Sequence, residues 1–253
     1  MSRPLIFVTN DDGFTAPGIA ALIDSVKEFG DLFIVAPDKP QSGMGHAITV
    51  NQPLRVSELS FFGEHQAYSC SGTPVDCVKI GMFKLNGRKP DLIVSGINHG
   101  SNCSTNVLYS GTMSAAVEGA IEGVPSIGFS LADFSIEADF TASKHYVKKI
   151  VKEALKTSMD KGVCLNVNIP KLPLELIKGI KICRQAKAFW EDTFDVRVDP
   201  LGKEYFWLTG EFENFDKDAD ADILALESGS VSVVPTKFDM TAYESIEKLK
   251  LWE

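Results

Sequence analysis

The chain has 253 residues, 44% of them hydrophobic and 23% charged, with a net charge of −9; this suits one globular domain with a large core and argues against a nucleic-acid polymer as partner, since no basic stretch supplies counterion release. No apolar run approaches the ~20 residues of a membrane span, and the opening MSRPLIF has no signal-peptide core, so a cytoplasmic location is expected. The five scattered cysteines, Cys70, Cys77, Cys103, Cys164 and Cys183, contain no CxxC pair, which speaks against a disulfide framework or zinc knuckle and for a reducing compartment.

In chain order, LIFVTN reads as a buried strand, and Pro17 then opens a helix with Ile19, Leu22, Ile23, Val26 and Phe29 at helical spacing. Gly30 stops that helix and LFIVAP is a second buried strand. AITV, LRV and AYSC are expected as short strands of a hairpin-like excursion. Thr73-Pro74 starts a helix with Val75, Val78 and Met82 on one face. The buried strand DLIVSG follows, then the small-residue helix TMSAAVEGAIEG, the strand SIGFSL, an amphipathic helix over residues 140–157 and the strand VCLNVNIP. Continuous apolar strands alternating with helices predict an α/β fold, a mostly parallel sheet covered on both faces.

After about residue 180 the pattern changes. FDVRVDPLGKEYFWLTG predicts a β-hairpin turning at Asp199-Pro200 and Gly202. The acidic string DKDADADILALE predicts a helix entered through Asp218 or Asp220 and closed at Gly229. An EF-hand is the weaker alternative, because Ala221 stands where that loop needs glycine. The expectation is one domain over 1–253, with a core of about 1–180 and a C-terminal hairpin and helix arm over about 181–253.

Ligands of open α/β sheets gather beyond the carboxyl ends of the strands, and three polar loops fall there. Asn10-Asp11-Asp12-Gly13 follows strand one, APDKPQSGMGH with Ser42 and Gly43 follows strand two, and SGINHGSN with Asn98 and Asn102 follows the DLIV strand. Two carboxylates ~4 Å apart repel by roughly 4 kcal/mol at an effective dielectric of about 20, so Asp11 and Asp12 call for a proton or a cation. With the Ser42 hydroxyl and the Asn98 amide oxygen they form an all-oxygen set suited to one Mg²⁺ or Mn²⁺ per subunit, with Ca²⁺ also admitted. In NVLYSGTMSAAVEG, Ser110, Gly111 and Thr112 stand at a helix start, where free N–H groups bind phosphate. A plain turn at Asp11-Asp12, and Thr112 as a simple N-cap, are the structural alternatives.

These strings resemble the SurE (survival protein) family. VTNDDG, APGI, APDKPQSGMGHAIT, PLR, SGTPVDCV, PDLIVSGINHGSN, YSGTMSAAVEG, DPLGKEYFWLTG and SVSVVP occur in the family's order over most of the chain. The resemblance implies a Rossmann-like core, and metal-dependent hydrolysis of nucleoside monophosphates to nucleoside and phosphate by attack of a metal-activated water. It places the metal on Asp11, Asp12, Ser42 and Asn98, makes Asp11 and Asp12 the catalytic pair, and puts the phosphate at Asn102, Ser110, Gly111 and Thr112. It also implies homodimers or homotetramers built through the C-terminal arm.

Two other chemistries fit less well. A phosphatase with a covalent aspartyl intermediate on Asp11 usually carries Asp-x-Asp, whereas these carboxylates are adjacent. A dinucleotide-binding oxidoreductase needs a third glycine where Ile48 stands, and its glycine loop after strand one. Of the histidines, His99 adjoins the site, while His46, His65 and His145 have no evident role. Phe189, Trp190 and Trp207 offer stacking faces to a nucleobase but are expected in core or interface.

Overall fold

The computed structural model describes residues 3–253. In chain order the elements are β1 (Leu5–Thr9), α1 (Pro17–Val26), β2 (Asp31–Pro37), β3 (Val56–Glu58), β4 (Gln66–Cys70), α2 (Pro74–Lys84), β5 (Leu92–His99), α3 (Gly111–Ile121), β6 (Ser126–Leu131), α4 (Thr141–Ala154), β7 (Val163–Ile169), β8 (Ile180–Ile182), β9 (Ala188–Val198), β10 (Glu204–Asn214), α5 (Asp222–Glu227), β11 (Val231–Lys237) and α6 (Tyr243–Leu249). Among the described residues, nine strands join in the order β3-β4-β2-β1-β5-β6-β7-β11-β8, and β9 with β10 forms a separate two-stranded ribbon. From β4 to β7 every pairing is parallel. The expected α/β architecture with a mostly parallel sheet is therefore present.

The apolar runs follow from burial on both faces. Alternate residues of a strand point to opposite sides, so Ile6 and Val8 join α1 and α4 on one face. Leu5 and Phe7 join α2 on the other, together with Ala115 of α3. Phe7, Phe33, Phe129 and Ile93 are fully buried, each worth about 1.5–3 kcal/mol of burial.

Strand order also fixes where a ligand can sit. The chain leaves β1 toward β2 and β4 on one side, then crosses back to place β5 on the other side of β1. That reversal opens a crevice beyond the carboxyl ends of β1 and β5.

Three expectations change. Residues 47–50 form no strand. The Thr49 N–H donates to the Asp76 carboxylate and the Ala47 carbonyl accepts from the Thr73 hydroxyl, so the start of α2 takes the groups a ladder would need. The stretch beyond residue 180 is not all appendage: β11 is inserted between β7 and β8, antiparallel to the first and parallel to the second. The acidic string forms its helix, as expected, but enters it later than Asp218 or Asp220. Arg184 reaches Asp216, Asp218 and Asp220, and the short helix α5 begins only at Asp222. The hairpin itself forms as expected, pairing from Ala188–Asn214 at its base to Val198–Glu204 at its tip.

Candidate functional site

The carboxyl ends of β1, β2 and β5 converge on a cleft of about 380 Å³. Asp11 and Asp12 line it from β1, Ser42 and Gly43 from the loop after β2, and Asn98, His99 and Asn102 from β5 and the loop beyond it. Ser110 closes it at the start of α3. Six of the eight residues singled out from sequence thus face one space, while Gly111 and Thr112 lie directly behind Asp11.

Each loop is pinned. The Asn10 side-chain amide donates to the Gly13 carbonyl and shapes the acidic turn. Gln41 N–H donates to the Asp11 carbonyl, Phe14 N–H to Pro37, and Gly45 N–H to Tyr109, which ties the β2 loop to its two neighbours. On the far side, Asn102 N–H donates to Asn168 Oδ1, Asn166 Nδ2 donates to the Asn102 carbonyl, and Asn102 Nδ2 donates to Ser130 Oγ. Buried amides so paired hold a loop rigidly.

Helix α3 enters the site through Ser110, whose hydroxyl accepts from Met113 N–H as the N-cap. Thr112 is therefore not the cap. Its hydroxyl is fully buried and donates to Asp11 Oδ1 at 2.5 Å. The helix start presses on the aspartate so closely that a Cβ at Gly111 would lie 2.6 Å from Asp11 Cβ, which explains glycine at that position.

Burial, and then the charge of Asp12, push the Asp11 carboxyl up to about 6, against a pull in the other direction from the Thr112 hydroxyl and nearby backbone N–H groups. The β1 turn thus holds a negative charge that the protein only partly compensates. Among the described residues no three His, Cys, Asp or Glu side chains group as a metal cage, so a cation would need neutral oxygens beside the two carboxylates. Asn98 fits that need. Its amide nitrogen donates to the carbonyls of His99 and Gly100, at 3.2 and 2.8 Å, leaving its oxygen available. Asn10 Oδ1 and His99 Nε2 are buried without a partner in the same region, and orphaned buried polar atoms mark places built for a further group. The donor chemistry fits a hard divalent cation.

Sequence reasoning left unassigned two residues that line the cleft, His99 and Trp190, and the loop residue His46 outside it. His99 packs edge-on against Phe140, and its Nδ1 lies 3.5 Å from Asp12 Oδ2. His46, expected to be without a role, bonds Glu118 Oε2 at 2.8 Å while Lys79 takes the other oxygen. Burial pushes the Glu118 carboxyl up, and these two partners outweigh it and hold it below the usual range. Trp190 of β9 lines the cleft wall, its Nε1–H donating to Asn106 Oδ1 at 2.8 Å. The only signal for it in the sequence is an aromatic near a hairpin base, which does not tell which way the hairpin leans.

Fold and site together define an α/β protein whose ligand mouth, at the sheet's switch point, carries adjacent carboxylates where a dinucleotide-binding protein carries glycines. The chain belongs to the SurE family: the model of "Survival protein SurE" matches residues 6–192. It is 58% identical over 252 residues, 99% of this chain and 97% of the relative, to a protein of Christiangramia forsetii named 5'-nucleotidase SurE. A protein of the same name from Phocaeicola vulgatus is 43% identical over 99% of this chain and 97% of its own. The crystal structure of the SurE protein from Aquifex aeolicus has 38% identity and a TM-score of 0.86, covering 98% of this chain and 99% of that one.

Proposed function

We propose that the chain is a 5'-nucleotidase, a phosphomonoesterase that hydrolyses nucleoside monophosphates with one divalent cation per subunit. The observation that carries the reading is the buried Asp11 carboxylate, set between the charge of Asp12 and the hydroxyl of Thr112 at the start of α3. Asp11, Asp12, Ser42 and Asn98 are the residues that would hold the cation. When bound, such an ion supplies Lewis-acid polarisation of the phosphate and generates hydroxide near neutral pH.

The chain's own groups supply the rest. The N-terminus of α3 presents its first N–H groups and partial positive charge to anionic ligands near Ser110. The Ser110 hydroxyl and the amide of Asn102 face the same space, where a transferring phosphoryl group would gather charge on its oxygens. Asp12, the more exposed of the two carboxylates, is the better placed to orient an attacking water. Thr112 holds Asp11 through its side-chain hydroxyl and Gly111 lets the helix start approach it closely, while the backbone N–H groups of both are among those offered to the phosphate.

Two finer features belong to the same reading. A ribbon with Phe194, Val196, Val198 and Phe206 exposed toward its tip fits a homodimer or homotetramer joined through the C-terminal arm. Five free, buried cysteines fit a reducing cytoplasm.

The test is a panel of phosphomonoesters assayed in chelator and then with Mg²⁺, Mn²⁺ and Ca²⁺ restored separately. Turnover of nucleoside 5'-monophosphates that vanishes in chelator and returns with Mg²⁺ or Mn²⁺ is expected. Undiminished hydrolysis in chelator would remove the metal from the mechanism.

A further inference from the structure

A second cleft, of about 610 Å³, adjoins the first and shares Asn106, Tyr109 and Trp190 with it. Its outer wall is the base of the β9–β10 ribbon. Along a strand, alternate side chains share a face, so Trp190 and Asp192 of β9 stand on one side of the ribbon. Opposite them in register are Phe212 and Gly210, and the next partner on this face is Leu208. Gly210, directly across from Asp192, adds no side chain to this face between its two apolar neighbours, and a Cβ there would lie 2.5 Å from the Glu191 carbonyl oxygen of β9. The cleft is lined on this side by Trp190, Asp192, Leu208 and Gly210, with Phe189 and Thr209 beside them.

The Trp190 ring is fixed at the cleft's edge. Phe212 packs against it with ring centres 5.4 Å apart at 61°, and its indole N–H is held by Asn106. An aromatic face fixed on two sides and half exposed is suited to stack on a planar ring. Among the described residues, Asp192 is the sole charged side chain lining the cleft. A carboxylate there repels the phosphate end of an anionic ligand and accepts hydrogen bonds from an exocyclic amine at its other end.

We infer that this slot, formed by Trp190, Asp192 and the backbone at Gly210, holds the nucleobase of the substrate, with preference for bases that carry an exocyclic amine. The inference rests on the nucleotidase reading for the position of the phosphate. Stacking supplies most of the affinity and tolerates any base, while Asp192 discriminates among bases at the slot's edge.

The test compares calorimetric binding of non-hydrolysable phosphonate analogues of AMP and of ribose 5-phosphate to the full-length protein, so that turnover cannot interfere. Wild type is expected to bind the AMP analogue on the order of tenfold or more tightly, which is the scale of one base–aromatic stack. Trp190→Ala should collapse that ratio toward one, and Trp190→Phe should keep most of it. A ratio unchanged in Trp190→Ala, or affinities for both analogues that fall equally, overturns the assignment. A wild type that shows the ratio but cleaves no phosphomonoester would sink the nucleotidase reading and leave the base slot standing.

Discussion

Replacing Asp11 by asparagine should stabilise the metal-free protein while removing its activity. The buried Asp11 carboxyl is raised from 3.8 to about 6, roughly two units, which at 1.36 kcal/mol per unit is about 3 kcal/mol. The sign follows from linkage. Below pH ~3.8 both folded and unfolded chains hold the proton, and the group contributes nothing. Between ~3.8 and ~6 the unfolded chain ionises first, and above ~6 the full penalty weighs on the folded state. Asparagine carries no charge at any of these values, and its amide oxygen can still accept from the Thr112 hydroxyl. In chelator at pH 8, Asp11→Asn should therefore gain up to about 3 kcal/mol, or about 6–12 °C in Tm for a chain of this length. The advantage should shrink as pH falls from ~6 to ~4. Wild type should recover stability with Mn²⁺, by about 2.7 kcal/mol at a hundredfold excess over Kd, and the variant should not respond. Differential scanning calorimetry at several pH values, with and without metal, reads all of this. A variant less stable than wild type in chelator by the same amount at every pH would refute the reasoning, since the charge would then be compensated within the metal-free fold.

Two further outcomes are expected. Gly111→Ala sets a Cβ 2.6 Å from Asp11 Cβ, so it should cost about 1–3 kcal/mol of stability and lower kcat by moving Asp11, as read by thermal melts and steady-state assays. Rapid quench with a labelled nucleoside monophosphate should trap no phosphoenzyme, because Asp11 is buried against α3 with one oxygen on Thr112; an acid-stable label on Asp11 would favour the covalent route.

The sheet was legible because burial on both faces leaves an unambiguous mark: LIFVT and LFIVAP are apolar without alternation, and a strand so written needs cover on both sides. The cleft was legible for a related reason. Adjacent carboxylates are costly without a counter-charge, and Asp11, Asp12, Ser42 and Asn98 all fall at or just past the carboxyl ends of such strands. What stayed hidden depends on distant partners. Residues 47–50 alternate like a strand, yet Asp76 and Thr73 on α2 take their backbone groups. The edge position of β8 and the insertion of β11 beside β7 rest on pairings across more than fifty residues. Trp190 reaches the cleft only because the ribbon leans over Asn106, and Glu118 meets His46 and Lys79 from two other elements. No local periodicity encodes such meetings.

The cleft is assembled from two kinds of chain. Its acidic floor is welded to the sheet by backbone and buried amides, whereas the aromatic wall above it belongs to a ribbon that projects from the body. A mutation on the wall can therefore alter what is admitted without endangering the folding of the floor. On the proposed reading, ligand range and bond-breaking chemistry are in this sense separately heritable, and descendants of this chain can diversify the first while conserving the second.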